Sequence, residues 1–348
     1  MRPPEHPALR WPLRLLATLY GSAVNLRNRY YDRGEAACRP TVPVISVGNI
    51  TVGGTGKTPT VAWLADRLRE SGRRPAIVSR GYGGTAGRGP LVVSRGTGPL
   101  CEPGACGDEP FLLATALHTV PVVVGSDRCA AAALAVEQGA RVVILDDGFQ
   151  HRRIARDLDI VLLDATSPFG NGNLLPAGPL REPLKALERA GLVLITRCDE
   201  NTAVDVIECH VRRYNPSAPI LRSHHRRLGF RDASGHSVEA PRRAVVFCGI
   251  GNPAPFRADV EAESVEVVVF EALRDHHRYL PAELAALRAR AVALDAVLVT
   301  TEKDRVRLPA DDGDDDPPLL TLAIEAAPLD PDALLDAVGR ALGGNEPS

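Results

Sequence analysis

The segment Thr51-Val52-Gly53-Gly54-Thr55-Gly56-Lys57-Thr58 constrains this chain more than any other stretch of it. It follows an apolar, β-branched run (Val42 to Val47) and precedes a helical pattern of Val61, Leu64 and Leu68 that ends at Gly72. Strand, glycine-rich loop, helix is the setting in which successive backbone N–H groups turn inward around phosphate oxygens. The partial positive charge of the helix N-terminus adds to the attraction. In that setting Lys57 reaches the β- and γ-phosphates and the Thr58 hydroxyl ligates Mg²⁺. The leading glycine of the usual GxxxxGK[ST] pattern is replaced by Thr51, and Gly53 and Gly54 supply freedom inside the loop. Pro59 suits a first helical turn, where a missing N–H costs little. The plainer alternative is a glycine-rich turn with an incidental lysine. Lysine is scarce, however: Lys57, Lys185 and Lys303 stand among 41 Lys and Arg residues, so a retained lysine invites a functional question.

A second strand pattern, Arg141-Val142-Val143-Ile144-Leu145, ends in Asp146-Asp147-Gly148. An apolar strand followed by aspartate is how P-loop enzymes bring a carboxylate to magnesium. Asp-Asp-Gly is also a common turn. Because ligands gather at the carboxyl ends of strands in such sheets, the P-loop tips the balance toward a magnesium role for Asp146 and Asp147. Further buried-strand runs are Ala76 to Ser79, Thr119 to Val124, Ile160 to Leu163 and Leu192 to Thr196. Helical stretches between them predict an α/β fold of P-loop NTPase type, a mainly parallel sheet with helices on both faces.

Residues 10 to 33 carry apolar side chains at helical spacing (Leu16, Leu19, Tyr20, Ala23, Leu26, Tyr30) among arginines. This amphipathic pattern suits a membrane interface, but read alone it favours an ordinary helix packed on its own domain. The expected organisation is an N-terminal helix at 1–35, a P-loop domain at 36–220, a linker hairpin at 221–243 turning at Ser234-Gly235, and a smaller α/β domain at 244–348. The acidic run Asp311, Asp312, Asp314, Asp315 and Asp316 is expected to be a solvated loop.

With 45% hydrophobic and 24% charged residues the chain can build real cores, and a net charge of −2 removes the general electrostatic case for nucleic-acid binding. Seven cysteines without a CxxC pair argue against a zinc site and fit a reducing cytosol. The N-terminus lacks a signal-peptide layout and is too short and polar for a spanning helix.

Three more segments stand out: Ser79-Arg80-Gly81-Tyr82-Gly83-Gly84, Gly107-Asp108-Glu109-Pro110 and Asp275-His276-His277-Arg278-Tyr279. Their bland readings are a surface turn, a helix N-terminus with first-turn acids, and an exposed polar loop. Taken with Leu19-Tyr20-Gly21, Arg27-Asn28-Arg29, Asp127-Arg128, Asp146 to His151, Leu175 to Glu182, Thr196-Arg197-Cys198-Asp199, Gly249 to Pro253 and Thr301-Glu302-Lys303-Asp304, they form an ordered set through most of the chain. That set resembles the tetraacyldisaccharide 4'-kinase family of lipid A biosynthesis, whose own loop carries the Thr51 variant.

The resemblance implies transfer of the γ-phosphoryl of ATP, with Mg²⁺, to the 4'-hydroxyl of an acylated glucosamine disaccharide lipid. It also implies two α/β domains joined by a two-stranded linker. Carried over by motif, Thr51 through Thr58 bind the nucleotide, with Lys57 also catalytic, and Thr58, Asp146 and Asp147 hold the metal. Asp108 matches the catalytic base and His276 its partner, which requires domain closure; His277 is the alternative partner. Tyr82, Glu109 and Arg128 match substrate- or phosphate-contacting positions. Lys303 falls in a matching segment, but the resemblance fixes no role for it, and a structural salt bridge is an equal alternative. The substrate's acyl chains imply docking of the N-terminal helix on the cytoplasmic face of the bacterial inner membrane, by a chain expected to be monomeric. The rival from another class is a P-loop switch ATPase at the membrane surface, and a third is a nucleotide-binding module without catalysis.

Overall fold

The computed structural model describes residues 7–34, 38–85, 87, 89–199, 202–309 and 317–343; the acidic run Asp311 to Asp316 lies outside them. The chain divides into two units, residues 1–225 with 326–348 and residues 226–325.

In the first unit the predicted apolar runs become strands because both of their faces are covered, so every second side chain enters a different core. After α1 (Pro7–Asp32) come β1 (Val44–Asn49), α2 (Lys57–Glu70), β2 (Pro75–Ser79), β3 (Leu91–Arg95), α3 (Pro103–Cys106), α4 (Asp108–Ala116) and β4 (Pro121–Val124). They are followed by α5 (Arg128–Glu137), β5 (Val142–Asp146), β6 (Leu158–Asp164), β7 (Leu192–Thr196), α6 (Val204–Arg212) and β8 (Ile220–Arg231). The strand order is β8-β7-β6-β1-β5-β2-β4-β3. All neighbours are parallel except β3, which runs antiparallel to β4. Val142 and Ile144 of β5 pack in the core beneath α2 and α4, while Val143 and Leu145 face α5. On β7, Val193 and Ile195 point instead into the core under α6.

The second unit takes the rest of β8, which pairs antiparallel with β9 (Ser237–Val238) around the Ser234-Gly235 turn. Then follow β10 (Arg243–Cys248), α7 (Pro253–Ala262), β11 (Glu266–Ala272), α8 (Pro281–Ala293), β12 (Val297–Thr301), α9 (Glu302–Arg305) and β13 (Leu319–Pro328). Strands β11-β10-β12-β13 are parallel. The chain re-enters the first unit within β13 and ends in α10 (Pro331–Ala341). This differs from a linker confined to 221–243 and a domain running to 348. Leu334, Ala337, Val338 and Leu342 form an apolar stripe that is buried in the first unit's core, which draws the terminus back.

The N-terminal helix also differs in detail from its pattern. Its inner face is small and polar: Ala17, Gly21 and Val24 are buried, and Tyr20 Oη donates to Arg181 O at 2.9 Å. Asn28 Nδ2 donates to Glu182 Oε2 at 2.8 Å. The large apolar residues Trp11, Leu15, Leu16, Leu19, Leu26 and Tyr30 face outward. Among the described residues no helix is long and apolar enough to cross a membrane. Cys38 and Cys129, 91 positions apart, are joined as a disulfide that the cysteine spacing did not suggest.

Candidate active site

The phosphate loop is tied at both sides and left open in the middle. Val52 N donates to Pro179 O at 2.8 Å, and Asn49 Nδ2 donates to Thr55 Oγ1 at 2.9 Å. Thr196 Oγ1 donates to Thr55 O at 3.0 Å, and Arg197 Nη1 donates to Gly54 O at 2.7 Å. The carbonyls of Gly54 and Thr55 are therefore occupied. Among the described residues the amides of Gly53, Gly54, Thr55, Gly56 and Lys57 meet no protein acceptor. A row of N–H groups at the start of α2 with no partner of its own is an anion cradle. Gly56 is required there: it is left-handed (φ 81°), and a Cβ on it would stand 3.0 Å from His225 Nε2.

Lys57 opens α2, and its Nζ lies 3.7 Å from Asp147 Oδ1. Arg181 Nη1 holds the other oxygen of that carboxylate at 2.8 Å. Burial works against charge on Asp147, yet Lys57 and Arg181 outweigh it and keep the carboxyl below the usual range. Asp146 has the opposite balance. It is fully buried at the end of β5, and Ser79 Oγ donates to its Oδ2 at 3.0 Å. Burial pushes its carboxyl up to about 7, with Glu109 and Asp147 adding repulsion against the pull of Lys57. Its Oδ1 accepts no hydrogen bond among the described residues. A buried carboxylate oxygen without a donor calls for a cation.

This donor set fits Mg²⁺ and not a dedicated metal cage. Among the described residues no three His, Cys, Asp or Glu side chains cluster to hold a metal. Mg²⁺ commonly binds through one or two carboxylates plus phosphate oxygens, so Thr58, Asp146 and Asp147 beside an anion cradle suffice.

Arg128 begins α5 and is buried, donating from Nη1 to Gly125 O at 2.7 Å. Burial lowers its guanidinium to about 10 against the pull of Asp146 and Asp147, which places it in the field of the same carboxylates. Glu109 acts on Asp146 as well, so the start of α4 belongs to the same edge of the sheet. Gly107 sets that start: with φ 91° its hypothetical Cβ would lie 2.5 Å from Tyr82 O. The Tyr82 loop and the first turn of α4 are thereby backed against each other. Asp108 is half-buried and Tyr82 is exposed.

His276 lies in the second unit, with φ 59°. Arg307 Nη2 approaches its Nδ1 at 3.1 Å, and Arg307 Nη1 donates to Asp304 Oδ1 at 3.0 Å and to Gly249 O at 2.8 Å. A guanidinium only donates, so Nδ1 accepts and the ring carries its proton on Nε2. His277 Nε2 is engaged by Glu283 Oε2 at 3.0 Å.

Sequence reasoning missed Ser79, Arg181 and Arg307 as working residues, although all but Arg307 fall inside segments it had singled out. Thr301-Glu302-Lys303-Asp304 acquires a purpose through Asp304, which is wholly buried and anchors Arg307.

A family profile described as "Tetraacyldisaccharide-1-P 4'-kinase" matches residues 9–343. The tetraacyldisaccharide 4'-kinase of Anaeromyxobacter dehalogenans strain 2CP-C is 44% identical over 306 residues, covering 85% of this chain and 81% of that protein. That of Geobacter sulfurreducens is 42% identical over 337 residues, covering 95% and 93%. Among solved structures, "apo"-form LpxK from Aquifex aeolicus in complex with ATP aligns with a TM-score of 0.75 at 31% identity. It covers 96% of this chain and 99% of that one. With a match of this extent, the chain belongs to the tetraacyldisaccharide-1-P 4'-kinase family.

Proposed function

We infer that this chain transfers the γ-phosphoryl group of ATP to the 4'-hydroxyl of a tetraacylated glucosamine disaccharide 1-phosphate, forming lipid IVA. The observation that carries the reading, beside family membership, is the row of amides from Gly53 to Lys57 that meet no acceptor among the described residues, next to the Lys57 ammonium. Nothing in the comparisons favours a switch ATPase.

In this reading the loop amides and Lys57 hold the triphosphate, and Thr58, Asp146 and Asp147 hold magnesium. Bound magnesium neutralises charge on the β- and γ-oxygens. Arg181 and Lys57 keep Asp147 ionised for that duty. Arg128, Tyr82 and Glu109 contact phosphate or sugar. Asp108 takes the proton of the acceptor hydroxyl, with His276 as the partner that the family motif assigns it, in the Nε2-protonated tautomer that Arg307 supports. His276 is preferred to His277 because Glu283 already occupies the latter.

The lipid acceptor also gives the outward apolar residues of α1 a use. Trp11, Leu19 and Leu26 are 69%, 60% and 72% exposed and lie on one side of the helix, opposite the buried Ala17 and Val24. We assign this face to the membrane interface, on the cytoplasmic leaflet where ATP is available. The chain is proposed to act there as a monomer. The test is ATP consumption with and without the disaccharide lipid, read as phosphate on the sugar. Lipid-independent hydrolysis with no sugar phosphate rejects the assignment.

A further inference from the structure

The inner side of α1 is joined by hydrogen bonds to the segments that hold the phosphate loop and the Asp147 carboxylate. One route runs through the segment 179–182. Tyr20 Oη donates to Arg181 O at 2.9 Å, and Arg181 Nη1 holds Asp147 Oδ2 at 2.8 Å. Arg181 N donates to Ile50 O, Val52 N donates to Pro179 O, and Thr51 bridges Leu180. This segment therefore carries the entry to the phosphate loop on its backbone and a metal carboxylate on its Arg181 side chain.

A second route runs through the chain that follows β5. Arg27 Nη2 donates to Gln150 O at 2.5 Å, and Gln150 Nε2 donates to Asn49 O at 2.8 Å. Asn49 in turn donates to Thr55 of the loop. Two residues beyond Gln150, Arg152 Nη1 donates to Asn28 O at 2.8 Å, and its guanidinium pairs with Asp32. Resting on the membrane and nucleotide readings above, we propose that α1 is a positioning element of the active site. Tyr20 and Arg27 couple the seating of α1 on a lipid surface to the alignment of Asp147 and the phosphate loop, so that lipid and nucleotide binding strengthen each other.

The packing of α1 explains why a lipid surface would matter to chemistry at the loop. Toward the protein the helix presents Ala17, Gly21 and Val24, which have little apolar area to bury. Its large side chains Trp11, Leu15, Leu16, Leu19 and Leu26 face outward and add no hold on the protein. An element kept by few apolar contacts and a set of hydrogen bonds opens at low free-energy cost. A bilayer that takes up the outward face orders α1, and the Tyr20 and Arg27 bonds are ordered with it. A nucleotide arriving then has less of the site left to order, which is positive coupling without any change of fold.

Coupling between two binding sites is reciprocal, so it can be read from either side. Magnesium-ATP is titrated by calorimetry into the full chain, alone and saturated with vesicles of phosphatidylethanolamine and phosphatidylglycerol. Vesicle flotation is measured with and without magnesium-ATP. Wild type is expected to bind magnesium-ATP at least about fivefold more tightly on vesicles, the lower end of usual coupling, and to gain the same factor in vesicle affinity from magnesium-ATP. Tyr20→Phe should cut that rise by roughly twofold or more, the lower worth of one hydrogen bond, and Tyr20→Phe/Arg27→Met should abolish it. Tyr20→Phe alone keeps the route testable where circular dichroism shows the double variant unfolded. Equal wild-type affinity for magnesium-ATP with and without vesicles overturns the coupling, and a rise left intact in the variants overturns the Tyr20 and Arg27 routes. Failure of wild type to float overturns the membrane reading instead, and failure to bind magnesium-ATP under either condition overturns the nucleotide reading.

Discussion

Replacing Arg307 by methionine would leave the Asp304 carboxylate in a core position that is 0% exposed, having lost a guanidinium whose own side chain is 2% exposed. Removing one partner of a buried ion pair costs ~3–5 kcal/mol, because the remaining charge is uncompensated. Thr301 Oγ1 still donates to Asp304 Oδ2 at 2.7 Å, so the lower half of that range is expected. The double variant Asp304→Asn/Arg307→Met removes both charges and should regain most of the loss, since uncharged replacements of buried pairs are often near neutral. Urea unfolding followed by far-ultraviolet circular dichroism measures both. Fluorescence would not serve, because both tryptophans, Trp11 and Trp63, lie in the first unit. The double variant also tests the orienting role. Its His276 Nδ1 no longer receives a guanidinium donor, so the ring is free to change tautomer. The expected result is a fall in kcat of roughly tenfold, one hydrogen bond's worth, with KM for ATP unchanged. A single variant as stable as wild type would refute the ion-pair argument. An unchanged kcat in the folded double variant would refute the tautomer argument.

Lys57→Ala should weaken magnesium-ATP binding by about 10- to 100-fold, the range for a lost hydrogen bond to a charged group, and calorimetry showing wild-type affinity would contradict the cradle. Leu15→Gln/Leu19→Gln/Leu26→Gln should move the protein out of the membrane fraction in a flotation assay without lowering its stability, because these side chains are already exposed; undiminished flotation removes the docking face. Acid should destabilise the fold through His225, whose imidazole is lowered to about 4 by burial and by Arg197. Because the unfolded chain takes up this proton near pH 6.5 and the folded one does not, stability is full above ~6.5 and falls by up to ~3 kcal/mol as pH drops toward 4. His225→Gln should flatten that limb in pH-dependent urea unfolding, and an identical acid limb in the variant assigns the loss elsewhere.

What could be learned from the sequence was chemistry that is local in the chain. The phosphate loop needs its glycines, lysine and threonine within eight consecutive positions, and Asp146-Asp147 directly ends a strand. Strands such as Val142–Asp146 were legible because burial on both faces leaves an unbroken apolar run. The N-terminal helix was legible as a helix but not in its orientation: its docked side is made of Ala17, Tyr20, Gly21, Val24 and Asn28, a mixture no hydrophobic period picks out. The return of α10 and the Cys38–Cys129 link were hidden because each depends on elements far apart in the chain.

The arginines make the same point from the other side. Their abundance suggests genome composition, and composition alone assigns none of them a task. Yet Arg197 bridges Gly54 O and Asp164, and Arg307 bridges Gly249 O, Asp304 and His276. Arg181 grips Asp147 while its own backbone N donates to Ile50 O at the edge of the phosphate loop. At Arg197 and Arg307 a single Nη1 serves a backbone carbonyl and a carboxylate at once, and at Arg307 the second arm of the planar fork also reaches His276, a spread of donors that one lysine nitrogen cannot offer. The partners lie 143 positions away for Arg197 and 58 for Arg307, so no window of sequence contains both ends of either contact. A compositional bias can therefore conceal residues that position the site, because the signal separating them from the background lies in the fold and not in the residue type.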